Sequence, residues 1–283
     1  MAAERIRLSF SSLNYFMSRL TLLMPDVEEF VSFVVLRGAR LLERDSPETL
    51  MVETFADPPY GDNHNDLFLM SYIEDNCPRL DGVACTSHPA RSYTMRPSKK
   101  AGAAILPLYT LLNYVRGKHK GRPAFNALNG INLVVRDFDK SGDISAVDKL
   151  DKGPFGVNIH PGNVSAGCVV ISGGWHGDNW KQVSRWLEAR QDSFPLMIIP
   201  GADMGVWENM NFIEQETIWR PGIALGSRHP WVTELQQLIY RQGVDITRDG
   251  VWGAETQKAL EKVVGANAPA RMGYELWRQL EGN

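Results

Sequence analysis

Residues 155–171, which read FGVNIHPGNVSAGCVVI, constrain the fold more than any other stretch of the chain. Two short segments, 157–159 and 169–171, have the length and the β-branched content of strands, and a Pro-Gly-Asn sequence between them is typical of a turn. The pattern predicts a β-hairpin in which His160 closes the first strand and Cys168 opens the second. We therefore expect a fold built on strands that present an imidazole and a thiol together.

This pair of side chains suits nucleophilic catalysis. A cysteine nucleophile needs a base to take its proton and N–H groups to stabilise an oxyanion. Cys168 and His160 would fill the first two roles, and Gly167 lets the chain turn so that its own N–H and that of Cys168 face the substrate. The small residue Ser165 leaves space for a substrate at the sulfur, and Asn158 is a second predicted substrate contact.

Two questions stay open at this point. Asn158, Asn163 or a main-chain carbonyl could orient the imidazole of His160. A buried free cysteine beside a histidine at a strand end is the structural alternative to catalysis, because free cysteines are among the most buried residues of proteins.

The segment resembles the catalytic motif of L,D-transpeptidases of the YkuD type, in which a histidine is followed by a Ser/Thr-x-Gly-Cys ending. It is more similar to the Asn-Ile-His and Ser-Ala-Gly-Cys signature of a related family of phage lysis proteins, and residues 81–125 are similar to that family in strand and turn order. Three features differ from the common transpeptidase pattern: only seven residues separate His160 from Cys168, Ala166 replaces a second histidine, and two valines replace Arg or Asn after the cysteine. The resemblance implies a mixed-β fold that carries a Cys-His pair.

The composition indicates an ordinary globular chain. Its 283 residues, 43% hydrophobic and 22% charged, allow one large domain and a small one. A net charge of −3 gives no broad basic surface, which disfavours nucleic acid as the main partner. The first 20 residues lack the continuous apolar core of a signal peptide, and no run of 18 apolar residues predicts a membrane span. We expect synthesis in the host cytoplasm, delivery by another agent and action at the cell wall in the periplasm, without membrane insertion.

Hydrophobic periodicity predicts the remaining elements. Residues 8–23 place apolar side chains on one face at helical spacing, which predicts an amphipathic first helix, whereas residues 30–36 fit either a helix or a strand. Further strands are predicted at 67–70, around Pro107 within 103–115, at 131–135 and at 194–199, with a rim helix at 180–188. Cys77 and Cys85 could pair with each other, which would leave Cys168 free, although the sequence does not decide this.

A basic cluster covers residues 116–122, RGKHKGR. It fits a solvated hairpin tip. Alternatively, Arg116, Lys118 and His119 could bind the carboxylates of a peptidoglycan stem peptide, because cationic side chains recognise carboxylates well.

Residues 137–148, DFDKSGDISAVD, match the spacing of an EF-hand calcium loop at positions 1, 3, 5, 6, 7 and 9, with Asp at position 12. Flanking helices are not indicated, and such connections are common between strands, so both a structural calcium site and a plain loop fit. No zinc-peptidase motif such as HExxH is present. We expect no cofactor and assign no residue as a metal ligand.

The C-terminal part, 229–283, predicts two amphipathic helices joined through a Gly243 break and an Asp-Gly turn, with a further helix at 273–280. It resembles the type 1 peptidoglycan-binding domain at Leu235-Gln236, Asp249-Gly250, Trp252-Gly253 and Thr256. The resemblance implies wall binding, for which Asp249, Trp252 and Tyr240 are the candidate residues. A small helical packing domain without a ligand is the alternative.

Together these patterns predict an α+β protein. Residues 1–220 would form an L,D-transpeptidase-like mixed-β catalytic domain with rim helices, 221–228 a linker, and 229–283 a small three-helix peptidoglycan-binding domain. The expected function is that of a monomeric phage endolysin, an antibacterial hydrolase that cleaves a peptidoglycan amide through a Cys-His acyl-enzyme. A cross-linking L,D-transpeptidase, a secreted antibacterial effector and an inactive wall-binding protein remain alternatives.

Overall fold

The computed structural model describes residues 3–21, 32–56, 60–130, 132–188, 193–217 and 219–282. Within these ranges the chain forms many short strands, most of them buried on at least one face. They are β1 (Glu4–Ser9), β2 (Phe33–Arg37), β3 (Ala39–Ser46), β4 (Thr49–Thr54), β5 (Asp66–Glu74), β6 (Cys77–Thr86), β7 (Ala103–Ile105), β8 (Leu112–His119), β9 (Arg122–Ala127), β10 (Asn132–Asp137), β11 (Lys149–Gly153), β12 (Ile159–Pro161), β13 (Val169–Ile171) and β14 (Ser193–Pro200).

Helices lie at both ends of the chain and between the later strands. They are α1 (Phe10–Thr21), α2 (Arg91–Met95), α3 (Asp178–Glu188), α4 (Gly201–Asn209), α5 (Phe212–Thr217), α6 (Pro230–Arg241), α7 (Ala254–Val264) and α8 (Tyr274–Glu281). The predicted combination of a β-rich part with helices is confirmed. Among the helices within the described ranges, none has both the length and the apolar content needed to cross a bilayer.

Eight strands close into a barrel in the order β12-β13-β6-β5-β2-β14-β8-β9, and a single pair, Ile159 with Phe125, joins the last strand to the first. β2 and β14 are parallel neighbours and are almost entirely buried. Their near-continuous apolar sequences, FVVLR and SFPLMIIP, are typical of parallel strands covered on both faces. Aromatic rings from five strands pack together in the core: Phe33, Phe68, Tyr114, Phe125 and Phe194.

Two three-stranded sheets flank the barrel, in the orders β1-β4-β3 and β11-β10-β7. In the second sheet β10 pairs antiparallel with both neighbours, with Val135 opposite Ile105 of β7 and Leu150 of β11. This sheet supplies residues to the candidate site, so its position determines one wall of that site.

The predicted hairpin at 155–171 is wrong, because β12 and β13 are parallel, with Ile159 opposite Val169 and Pro161 opposite Ile171. Parallel strands usually need a connection of a dozen residues or more. Each strand here has only three residues and spans about 10 Å. The seven residues 162–168, with a reach of about 24 Å when extended, are enough to return the chain to the start of the next strand.

Several other predictions are confirmed. α1 confirms the predicted first helix from residue 10 onward, whereas residues 8 and 9 belong to strand β1. Residues 33–36 of the ambiguous segment 30–36 belong to strand β2, and residues 22–31, with the predicted helix end, lie outside the described ranges. A Cys77–Cys85 disulfide is excluded, since both residues lie on β6, eight positions apart, or about 26 Å, and a disulfide needs Cα atoms within about 7 Å.

The segment predicted as a linker, 221–228, is buried except for Arg228. Ser227 Oγ donates a hydrogen bond to the Leu108 carbonyl at 2.8 Å, and Arg228 N donates to Thr110 Oγ1 at 3.0 Å. A flexible tether would be solvated instead. These residues therefore pack the C-terminal helices onto the loop between β7 and β8.

Candidate active site

A cleft of about 350 Å³ lies between the barrel and the second flanking sheet. Its lining comes from both sides: Ala103 and Ala104 of β7 and Arg136 of β10 from the sheet, and His119 and His160 from barrel strands. The connection from α2 to β7 and the connection from β11 to β12 complete the cleft, together with Cys168. The thiol and the imidazole singled out from the sequence thus open into one cleft.

Cys168 lies immediately before β13, and 8% of its surface is exposed. Its Sγ accepts a hydrogen bond from the Asn158 main-chain N–H at 3.5 Å and donates one to the Gly156 carbonyl at 3.7 Å. Burial raises the pKa of the thiol, and the Asn158 N–H and the charge of Lys120 oppose that shift. The resting residue is a protonated thiol at neutral pH.

His160 lies on β12 opposite Val170 of β13. Because Cys168 is two positions before Val170, its side chain faces the same side of the ladder as His160, with Cα atoms roughly 8 Å apart. His160 Nδ1 donates to the Pro161 carbonyl at 3.0 Å, which leaves Nε2 to accept a proton. A main-chain carbonyl is therefore the group that orients this ring. Burial lowers the pKa of His160, the hydrogen bond to the Pro161 carbonyl opposes that shift, and the neighbouring His119 and Lys120 lower the pKa further.

His119 places a second imidazole in the cleft. Its ring stacks on that of His160, with centroids 4.1 Å apart and planes 7° from parallel. Asn158 Nδ2 lies 3.1 Å from His119 Nδ1, and Asn158 Oδ1 accepts a hydrogen bond from Asn126 Nδ2 at 2.6 Å. Both ends of the Asn158 amide are thus engaged within the protein, contrary to the prediction that it contacts substrate. The Asn126–Asn158 pair positions His119 instead.

Gly117 leaves space for the Asn126 amide that hydrogen-bonds Asn158. A Cβ atom at Gly117 would lie 1.5 Å from Asn126 Oδ1, so any side chain there would displace the Asn126 amide. The strand pair β8–β9, which carries Gly117 and Asn126, ends in a two-residue turn with positive φ at Lys120 and Gly121, the pattern of a type I′ hairpin. This turn brings His119 and Lys120 to the cleft.

The predicted roles of Gly167 and Ser165 are not supported by their contacts. The Gly167 N–H donates to Ser165 Oγ at 2.9 Å, so it is not free to stabilise an oxyanion in this conformation. Ser165 is fully buried and donates to the Cys168 carbonyl at 2.7 Å, which keeps it away from a substrate. Gly167 is needed for another reason, since its φ is +123° and a Cβ would lie 2.5 Å from the Ala104 carbonyl oxygen. Both residues shape the turn that presents the sulfur.

The charged side chains of the cleft are all cationic. Lys99, Lys120 and Arg136 line it, and no aspartate or glutamate of the described residues does. Arg136 is paired with Asp151 at 2.9 Å, outside the lining. Arg116 and Lys118, the predicted carboxylate contacts on the same hairpin as His119, are exposed and do not line the cleft.

Two of the three predicted wall-binding residues are engaged within the C-terminal part. Trp252 is fully buried, and its Nε1 donates to Gln257 Oε1 at 3.1 Å, so it cannot contact a ligand. Asp249 Oδ1 accepts hydrogen bonds from Gln236 Nε2 and from Val251 N, which fixes the turn before Trp252. Tyr240 is 46% exposed and remains available at the surface.

Lys99, Lys120 and Arg136 are cleft residues that sequence reasoning did not assign. The basic run at 116–122 indicated Lys120, whereas nothing in the local sequence of Lys99 or Arg136 indicates that they line the same cleft as the thiol. No family model, no curated protein and no solved structure matches this chain.

Proposed function

We propose that this protein is a peptidoglycan hydrolase that cleaves an amide of the stem peptide or cross-bridge. The observation that carries the proposal is one cleft lined by both Cys168 and His160, with cationic side chains as its only charged lining among the described residues. The motif resemblance at 155–171 supplies the substrate class.

The reaction would follow the chemistry of a cysteine acyl-enzyme. Cys168 Sγ attacks the amide carbonyl carbon while His160 Nε2 takes the thiol proton, so that a C–S bond forms and the carbonyl electrons move to oxygen. His160 then gives the proton to the departing amine as the C–N bond breaks. Water hydrolyses the thioester and restores the thiol. With the Gly167 amide engaged, the Cys168 N–H is the remaining donor of the predicted oxyanion pair.

The charges of the cleft favour a carboxylate-bearing substrate. Peptidoglycan stem peptides carry several carboxylates, and Arg136, Lys99 and Lys120 can bind them beside the thiol. Arg136 and Lys99 also lie over the Phe155 ring, 4.3 and 4.9 Å from its centroid, which holds both cations over one wall of the cleft. These three residues replace Arg116 and Lys118 in the proposed recognition of the stem.

The C-terminal helices α6, α7 and α8 would form the three-helix peptidoglycan-binding part that the resemblance implies. Tyr240 on α6 is exposed, and the Arg248 guanidinium lies 4.8 Å from its ring centroid, so the pair offers a surface for stacking on sugars and for hydrogen bonding. The protein would thus act at the bacterial cell wall.

Digestion of purified sacculi tests this function. Wild-type protein should release soluble muropeptides with new amino termini, identified by mass spectrometry, and Cys168→Ala should reduce release to background while binding to sacculi persists. Cys77→Ala is the matched control, because that exposed thiol lies on β6 nine residues from Thr86, roughly 30 Å from the strand end that pairs with β13.

Two results would overturn the proposal. Release that is unchanged in Cys168→Ala would show that the cysteine is not the nucleophile. Formation of new cross-links from a disaccharide-peptide donor and an amine acceptor, without net release, would assign transpeptidation to the same pair.

A further inference from the structure

The loop between β10 and β11 carries a group of acidic side chains that the proposed reaction does not use. Residues 138–148 join two antiparallel strands, and Asp137 at the end of β10 begins the 12-residue pattern. Gly142, the sixth position, has φ +83°, the sharp turn that this loop type requires of glycine. The spacing seen in the sequence is therefore accompanied by the corresponding backbone turn.

Three carboxylates converge in this loop. One oxygen from each of Asp137, Asp139 and Asp148 lies within 4.8 Å of the others. Asp137 and Asp148 are buried and Asp139 is exposed. Across the described part of the chain, no Lys, Arg or His side chain forms an ion pair with any of the three at 4.0 Å or less. Three like charges are thus held together without a cationic side chain.

One buried carboxylate oxygen of this group accepts no hydrogen bond from the described residues. Asp137 is fully buried, and its Oδ2 accepts a hydrogen bond from the Gly142 N–H at 3.0 Å. Its Oδ1 is also buried and accepts none from the described residues. An unpartnered buried carboxylate oxygen is costly unless a cation or a donor compensates it.

Asp148, at the last position of the loop, is held by two hydrogen bonds. Asp148 Oδ1 accepts a hydrogen bond from Phe138 N and Oδ2 one from Ser145 N, each at 2.8 Å. These two bonds join the first and last parts of the loop. Ser145 Oγ, at the ninth position, is buried and lies close to the carboxylates of Asp139 and Asp148. Polar oxygens therefore surround the point where the carboxylates meet.

We propose that this loop binds one Ca²⁺ ion through Asp137, Asp139 and Asp148, with oxygens of Ser141, Asp143 and Ser145 completing the site. The donor set is entirely oxygen, which suits a hard cation, and a flexible loop with many candidate oxygens suits Ca²⁺ better than the smaller, strictly octahedral Mg²⁺. Asp at position 12 is shorter than the usual bidentate Glu. We therefore expect a Kd on the order of 10⁻⁵ to 10⁻³ M, within the weaker range for such loops.

A bound ion would also affect the cleft. Asp137 follows Arg136 on β10, and Arg136 lines the cleft and pairs with Asp151 of β11. A Cβ on Gly102 would lie 2.0 Å from the Asp137 carbonyl oxygen, which shows how closely the chain before β7 packs against this strand end. The ion would fix the end of β10 and with it the wall that carries Arg136.

Calorimetric titration of the full chain, freed of metal with a chelator, tests the site with CaCl₂ and separately with MgCl₂. We expect one Ca²⁺ per chain, much weaker Mg²⁺ binding and a rise in Tm of about 3 °C at saturating Ca²⁺. Asp139→Asn should weaken Ca²⁺ binding at least tenfold. This residue is exposed, so its substitution leaves the fold intact.

Asp75→Asn is the matched control. It removes the same charge from an exposed turn between β5 and β6, outside the proposed site, and the φ of +51° at this position suits asparagine. Its Ca²⁺ affinity should stay within about threefold of wild type. Absence of Ca²⁺ binding at 10 mM, equal weakening by the two substitutions, or binding that survives Asp139→Asn unchanged would each overturn the proposal. None of these readouts depends on hydrolytic activity.

Discussion

At the scale of single residues, Cys168 and His160 are both held in their neutral forms. Burial raises the pKa of the thiol and lowers the pKa of the imidazole, so neither group carries charge in the resting cleft at pH 7. Cysteine enzymes with a preformed thiolate–imidazolium pair have the opposite shifts. In this site the proton would instead move from sulfur to His160 Nε2 as the substrate is attacked.

The pH dependence of hydrolysis follows from these shifts. His160 must be unprotonated to act as a base, and its pKa lies below the usual 6.5, so the acid limb of kcat/KM should have its midpoint below pH 6.5. Lys120→Gln removes a positive charge that lowers this pKa, so the acid limb should move to higher pH. Initial rates of fragment release across pH 4 to 9 measure both.

Lys118→Gln controls for the loss of charge, because Lys118 lies on the same hairpin but does not line the cleft. Its acid limb should coincide with that of wild type. An acid limb that Lys120→Gln leaves in place, or moves to lower pH, would contradict the proposed role of His160.

At the scale of elements, the β8–β9 hairpin carries the groups that position His119. Gly117→Ala would place a Cβ 1.5 Å from Asn126 Oδ1, so the Asn126 amide must move and its hydrogen bond to Asn158 is lost. We expect a loss of about 1–3 kcal/mol in the free energy of unfolding, as for other overpacked sites. The kcat/KM of fragment release should fall severalfold, because His119 loses its fixed partner.

Gly253→Ala separates this effect from general destabilisation. Gly253 is the N-cap residue before α7, with an ordinary φ of −100° and open space around it, so the substitution should cost about 1 kcal/mol through the helix cap alone. Its kcat/KM should be unchanged. Equal activity losses in the two variants would show that Gly117 acts only through stability.

The same elements show how far local sequence carries a prediction. Strands and the first helix are predictable because periodicity and turn chemistry act over a few residues, and Cys168 and His160, which are close in sequence, line one cleft. The direction of β13 was mispredicted, since pairing with β6, more than 80 residues earlier in the chain, decides it. His119 and Arg136 reach the cleft only through the closed barrel and the flanking sheet. Trp252 was misassigned because a motif residue that builds a core and one that touches a ligand look the same in sequence.

At the scale of the whole molecule, the C-terminal part is joined to the barrel by contacts in several places. Arg271 pairs with Asp203 of α4 at 3.3 Å, and Asp203 also accepts hydrogen bonds from Tyr109 Oη and from Gly222 N. His229, just before α6, links this part to the first helix, since its Nε2 lies 3.1 Å from the Leu20 carbonyl oxygen. These contacts favour unfolding as one cooperative unit, with a single transition in calorimetry.

His229 should make the stability of this unit depend on pH. Burial lowers its pKa to about 4 in the folded state, against 6.5 when the chain is unfolded, so only the unfolded state binds the proton between these values. Above pH 6.5 the His229 side chain does not reduce the free energy of unfolding. As the pH falls towards 4, protonation of the unfolded state lowers this free energy by about 3 kcal/mol in total. Denaturant unfolding at a series of pH values measures this loss.

The substitution His229→Asn isolates that contribution. Asparagine is a good helix cap, so it can replace His229 Nδ1 as acceptor for the Trp231 N–H, while the contact with Leu20 is lost. The variant should lose about 1–2 kcal/mol at pH 7, and the difference from wild type should shrink or reverse towards pH 4, because the variant has no buried imidazole to protonate. His176→Asn, at an exposed histidine, should follow the wild-type curve. A difference that stays constant from pH 7 to pH 4 would show that burial of His229 does not control acid stability.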